Sequence, residues 1–269
     1  MLLTANLISL YLVLFAVLLL GGLSLQALPA LGQGMKPLRT SLTQGFGLDL
    51  AVAYFTLFPP VLGIILAGWR GLGVAVIAQI SAMLVWVLID ELRHKSADPE
   101  AKIHLTLSKI VGSWRNHLAV WITALAVPTF WVVRFSEWIV YPPLTVLVKL
   151  PRYNAHEWIN VSRQKFAGLV GYDLIWCLYC DWMTGVWSLG TEMLRNVESF
   201  WCPIRFSSEK KCENCKIDFP DVNNSWVKAD GSMKEVTTLL ENKYSQVDEC
   251  SWHGHPNRLN VTHQSREDF

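Results

Sequence analysis

The side chains best suited to chemistry are concentrated in residues 171–200, GYDLIWCLYCDWMTGVWSLGTEMLRNVESF. At helical pitch Asp173, Cys177, Asp181, Thr184, Ser188 and Glu192 recur every three or four residues, which puts them on one face. Trp176, Tyr179, Met183 and Trp187 cover much of the other side. A face of carboxylates and thiols on an otherwise apolar helix must be hidden in protein or in a wet cavity, where it can ligate a metal, move protons or pack.

Cys177 and Cys180 form a Cys-x-x-Cys pair in mid-helix. Disulfide exchange needs a thiolate favoured by a helix N-terminus or a nearby cation. Here Asp173 and Asp181 flank the pair, and their negative charge raises a thiol pKa. Two readings are left: small buried residues, or ligation of a metal or cluster, either by Asp173, Cys177, Cys180 and Asp181 with mixed oxygen and sulfur donors or by Cys177 and Cys180 joined by Cys202. Glu192 and Glu198 extend the series of carboxylates, but ferritin-like di-iron sites take a Glu-x-x-His motif from each of two facing helices, and the chain has one alone, Glu91-Leu-Arg-His94. The seven histidines are scattered, which disfavours a membrane oxygenase. The chain has no phosphate-binding Gly-rich loop, Gly-x-Ser-x-Gly elbow or His-Glu-x-x-His.

A second constellation lies near the C-terminus. Cys212-Glu-Asn-Cys215 follows a charged turn, and Cys250-Ser-Trp-His253-Gly-His255 supplies a second half. Cys212, Cys215, Cys250 and His253 would make a Cys3His tetrahedral zinc site, with His255 as the substitute ligand. Iron or an iron–sulfur cluster is the less expected occupant. Disulfides and free thiols are the competing states, and disulfides gain only if this segment faces an oxidising compartment. A closed zinc site would be structural, tying together a tail with little apolar surface to bury.

These residues must be positioned by a strongly apolar chain. Hydrophobic residues make up 52% and charged residues 17% of the 269 positions, with thirteen Trp, against about a quarter charged in soluble proteins. The formal net charge of +1 gives no reason to expect a nucleic-acid partner. Charges are sparse before Asp90 and frequent after Phe200.

Residues 8–31 form a charge-free run, long enough to span a bilayer, which takes about 20 apolar residues. A signal peptide is disfavoured, because no Lys or Arg precedes the run and its core is too long. Residues 50–67 and 71–89 read as two further spans joined tightly through Arg70, an antiparallel hairpin, with Pro59-Pro60 breaking the first. Asp49, at the edge of that first span, reads as an interfacial cap or an intramembrane carboxylate. The loops carrying Lys36/Arg39 and Arg93/Lys95/Lys102/Lys109/Arg115 then face the same, cytoplasmic side. Residues 118–148 either cross once, with Arg134 and Glu137 paired one turn apart, or enter, turn at Pro142-Pro143 and leave on the same side. The following Lys149, Arg152, Arg163 and Lys165 favour the second path. Residues 167–189 can cross, or can pack as a helix at the interface.

The sequence thus implies an all-α, polytopic membrane protein with four or five apolar segments. A transmembrane domain spans 1–150, membrane-packed or membrane-spanning amphipathic helices 151–200, and a small Cys/His-rich domain 201–269. Its expected surroundings are the lipid bilayer and other membrane subunits. The tail is expected on the cytoplasmic (or stromal) face. The function expected is that of an accessory or assembly subunit of a larger membrane complex with a zinc-stabilised tail. The alternative is a membrane-bound metal-dependent enzyme or redox protein acting on a lipid-soluble substrate through Asp173, Cys177, Cys180, Asp181 and Glu192.

Overall fold

A computed structural model describes residues 2–94, 102–163, 169–208, 211 and 226–244. They are mostly helical, and β-pairing among them is limited to two isolated bridges. The chain groups into two compact units, one of Met1–Pro128 with Ala155–Gly185, the other of Thr129–Asn154 with Val186–Phe269. Among the described residues three helices are long and apolar enough to cross a membrane: Asn6–Ala27, Phe58–Arg93 and Ser113–Leu147.

The first unit is built on α1 (Leu2–Ala27), α2 (Lys36–Leu42), α3 (Gly45–Thr56) and α4 (Phe58–Arg93). α4 is not straight. Its backbone leaves the helical region at Ala67 and Gly68, and Gly68 takes φ +59°, a conformation open to glycine. The two arms fold back on each other so closely that a Cβ on Gly71 would lie 1.9 Å from the Gly63 carbonyl oxygen. This is the tight antiparallel hairpin that the sequence predicts.

The break before it is also satisfied. Pro59 and Pro60 have no N–H, so the carbonyls four residues back, on Phe55 and Thr56, lose their helical donors. Gln79 of the returning arm donates its amide to both, at 2.6 and 3.3 Å. Such pairing is required where no water reaches the backbone.

α1 runs parallel to the returning arm of α4. Leu14 packs on Ala75 and Ala78, Gly22 lies against Trp86, and the Gln26 amide donates to Asp90 at 2.5 Å. The ends of the two helices therefore coincide. Lys36 and Arg39, which follow α1, emerge at the same end as Arg93, in agreement with the charge pattern.

α5 (Ile103–Val111) and α6 (Ser113–Ala124) follow, joined at Gly112 with φ +93°. The chain through α9 (Ala155–Trp158) is fastened to the start of α3: Gly45 N–H donates to Ile159 at 2.6 Å and Val161 N–H to Thr43 at 2.9 Å. Finally α10 (Gly171–Trp201) begins with Gly171 N–H donating to Asp90 at 2.7 Å. Eleven residues on, Trp182 donates its indole N–H to Asp49 of α3 at 2.9 Å.

Asp90 lies in the last turn of α4 and Asp49 in the first turns of α3, at the same end of the hairpin. The first half of α10 consequently runs across that end, and α10 is not among the helices apolar enough to cross. His117 of α6 meets the Tyr172 hydroxyl there at 3.3 Å.

In the second unit, α7 (Val127–Ile139) and α8 (Tyr141–Leu147) precede the later half of α10 and α11 (Met233–Tyr244). Pro142 and Pro143 occupy the first turn of α8, where the missing N–H groups cost nothing. The Arg134–Glu137 pair, expected with the single-crossing path, forms at 2.5 Å with both side chains buried, and the Arg134 guanidinium lies 4.9 Å from the Trp138 ring centre. Trp226 donates to Ser199 at 3.1 Å, joining the segment before α11 to α10.

Candidate functional site

The functional candidates on α10 are distributed by what each side chain bonds. Asp173 is buried and accepts three hydrogen bonds, from Ile103 N–H at 2.8 Å, His104 N–H at 3.1 Å and the His104 ring at 3.1 Å. It acts as the N-terminal cap of α5, satisfying donors that have no partner in their own helix and complementing the helix dipole. Asp181 is buried too. It accepts from Ser162 N–H at 2.9 Å and Arg163 N–H at 3.0 Å, and pairs with the Arg163 guanidinium at 3.0 Å. Asp181 thus holds the backbone at Ser162 and Arg163.

Glu192 belongs to the second unit. Tyr153 donates to it at 3.4 Å, and Asn196 donates both to the Glu192 carbonyl and to the Tyr153 hydroxyl. Burial, followed by the neighbouring Tyr141 and Glu192, drives the Tyr153 pKa far above the usual phenol range, so the phenol stays a neutral donor.

Cys177 and Cys180 are half-buried free thiols. Burial raises the Cys177 pKa, Asp173, Asp181 and Cys180 push it the same way, and only Arg163 opposes them. This is the direction that the flanking carboxylates imply, and it removes the activated thiolate a dithiol exchanger needs. Cys180 lies 3.8 Å from Thr184 Oγ1 and is the first cause of the raised Arg163 pKa.

The polar face read from the sequence does not survive as a single surface. Asp173, Asp181 and Glu192 are buried, but Thr184 is exposed and Ser188 half-exposed. The stripe that is covered instead runs through Asp181, Trp182, Gly185, Val186, Leu189, Glu192, Asn196 and Ser199. Two residues shift it. Trp182 is fully buried around its bond to Asp49, and a side chain on Gly185 would strike the Trp158 carbonyl at 2.5 Å.

Asp49, only 1% exposed, accepts a hydrogen bond from the Trp182 indole. Asp90 and Asn196 were not singled out by the sequence, and Trp182 was read there only as one of several anchoring or stacking aromatics. The detectable signal was a carboxylate at the end of each of two apolar runs, which demands donors from elsewhere.

Among the described residues no three His, Cys, Asp or Glu side chains gather where they could hold a metal ion. Asp173, Cys177, Cys180 and Asp181 thus share a helix without forming a ligand set. Cys212, Cys215, Cys250 and His253, the zinc ligands expected from the sequence, lie outside the described residues. No protein family, curated protein or solved structure matches this chain.

Proposed function

We propose that the protein is an integral membrane accessory or assembly subunit, in which α10 serves as a fixed ledge across one end of the helical hairpin. One observation carries this reading: the buried carboxylates Asp49, Asp90, Asp173 and Asp181 each accept hydrogen bonds from backbone, indole or amide N–H groups of other segments. A carboxylate so engaged fixes architecture, and its lone pairs are poorly placed to take a substrate proton or a metal. Large apolar side chains exposed along α1 and both arms of α4, such as Leu12, Leu20, Ile65, Ile77 and Leu88, suit a bilayer or neighbouring membrane helices.

In this proposal α1, residues 45–66 and the returning arm of α4 each cross the bilayer. Residues 113–154 enter and return, and the tail lies on the face that carries Lys36 and Arg39, the cytoplasmic or stromal one. Cys212, Cys215, Cys250 and His253 hold one zinc ion, a proposal resting on their spacing alone. The test is to extract the protein in mild detergent and run native electrophoresis beside elemental analysis and a visible spectrum. Migration in an assembly well above the 30.4 kDa chain, with one zinc and no chromophore, is expected. A monomer carrying iron or a chromophore overturns the proposal in favour of the redox alternative. Asp181→Asn, which weakens the hold on Ser162 and Arg163, should reduce assembly.

A further inference from the structure

We infer that α5 lies in the headgroup layer of the bilayer with its apolar side down, and that the leaflet it selects is anionic. The inference rests on the membrane reading above. α5 is amphipathic in the inverse of the usual sense. Its polar residues His104 and Ser108 face protein, where the Asn116 side chain donates to the His104 carbonyl and to Ser108 Oγ, each at 3.1 Å. Its apolar residues Ile103, Leu107 and Ile110, one face at helical pitch, turn outward at 55%, 42% and 71% exposure, with Val111 beside them and Trp114 exposed at the start of α6. Water is a poor partner for such a surface, because a helix normally buries its apolar stripe.

Three features commit the occupant to lipid. The first is continuity. The apolar helix beginning at Ser113 follows α5 after the single residue Gly112, so the outward face adjoins a segment built for hydrocarbon. The second is depth. Asp173 caps α5 at the end of the hairpin where Asp90 binds the neighbouring Gly171, so α5 starts at the boundary rather than beyond it. The third is charge. Between Glu100 and Glu137 there is no acidic residue, whereas Lys102, Lys109 and Arg115 are present. Lys102 pairs with Glu91, while Lys109 is exposed on α5 and Arg115 lies 5.7 Å from the exposed Trp114 ring. Basic side chains beside a shallow apolar face, with an indole at headgroup level, match an anionic leaflet.

The test uses the full chain in nanodiscs of phosphatidylcholine, with or without phosphatidylglycerol, carrying photoreactive benzoylphenylalanine in place of Ile110. A second variant carries it in place of Ile77, 58% exposed on the returning arm of α4, as the reporter of membrane insertion. Mass spectrometry of the photoproducts should find lipid adducts at both positions. At position 110 phosphatidylglycerol should be enriched several-fold over its share of the bilayer, and Lys109→Gln with Arg115→Gln should abolish that enrichment without loss of the phosphatidylcholine adduct. Lipid adducts at 77 but none at 110 overturn this inference alone. Cross-linking at 110 to a second copy or another protein overturns it as well, and so does lipid labelling at 110 without preference for phosphatidylglycerol. Absence of lipid adducts at both positions overturns the membrane reading itself.

Discussion

At the scale of single residues the chain solves one problem repeatedly: a backbone or side-chain polar group, freed or buried in apolar surroundings, is met by one donor or acceptor from a distant segment. Gln79 is the sharpest case. It serves the two carbonyls that Pro59 and Pro60 leave open. Gln79→Leu keeps the bulk and removes the donor. It should destabilise the hairpin by about 1 kcal/mol, the scale of interhelical hydrogen bonds in membranes, and detergent-denaturation midpoints would measure it. An unchanged midpoint would mean that water reaches the break.

Cys177 gives a second prediction at this scale. Its pKa is raised above the ordinary 9.0, so the thiol is protonated at neutral pH and its reactive form appears only as pH climbs through the raised value. Alkylation of Cys177 should lag behind the exposed Cys202 at pH 7, and its rate should still be rising above pH 9. Fast labelling of Cys177 at neutral pH would contradict the assignment of burial as the dominant cause.

At the scale of elements, α10 is both a helix and a set of anchors. Its N-terminus is held by Asp90, and its own Asp173 holds the N-terminus of α5. Asp173→Ala should remove the α5 cap at a cost of about 0.5–2 kcal/mol. Amide exchange at Ile103 and His104 should accelerate while α4 stays protected, because the α4 bonds do not involve Asp173. Asp173→Asn, which keeps one acceptor oxygen, should lie between the two. Equal exchange in all three proteins would show that α5 is held by its other contacts.

At the scale of the whole molecule the geometry predicts sidedness. Gln26 and Asp90 bring the ends of α1 and α4 together, and Thr43 and Gly45 pair with Val161 and Ile159. Positions 38 and 162 should therefore be modified from one side of a sealed vesicle, and position 69, beside the Gly68 turn, from the other. Single cysteines at Leu38, Ser162 and Trp69 in a background without native cysteines, treated with an impermeant maleimide, would read this. Labelling of all three from one side would refute the hairpin as a crossing.

The sequence by itself determined what one-dimensional pattern can encode. Apolar runs, paired prolines and the placement of Lys and Arg specified a helical chain, the hairpin around Arg70 and the shared end of the two basic loops, and helical spacing allowed the Arg134–Glu137 pair. Each of these depends on neighbours in the chain or on the length of a hydrophobic run. Only the tertiary structure decided which carboxylates were engaged and by what, since Asp49 and Trp182 are separated by 133 positions and Gln26 and Asp90 by 64. Helical periodicity put Thr184 with Asp181 and Glu192; packing of Trp182 and Gly185 rotated the covered stripe away from it. The inverted face of α5 was equally out of reach, because periodicity reports that a helix has two faces, and what lies beside it decides which one turns outward.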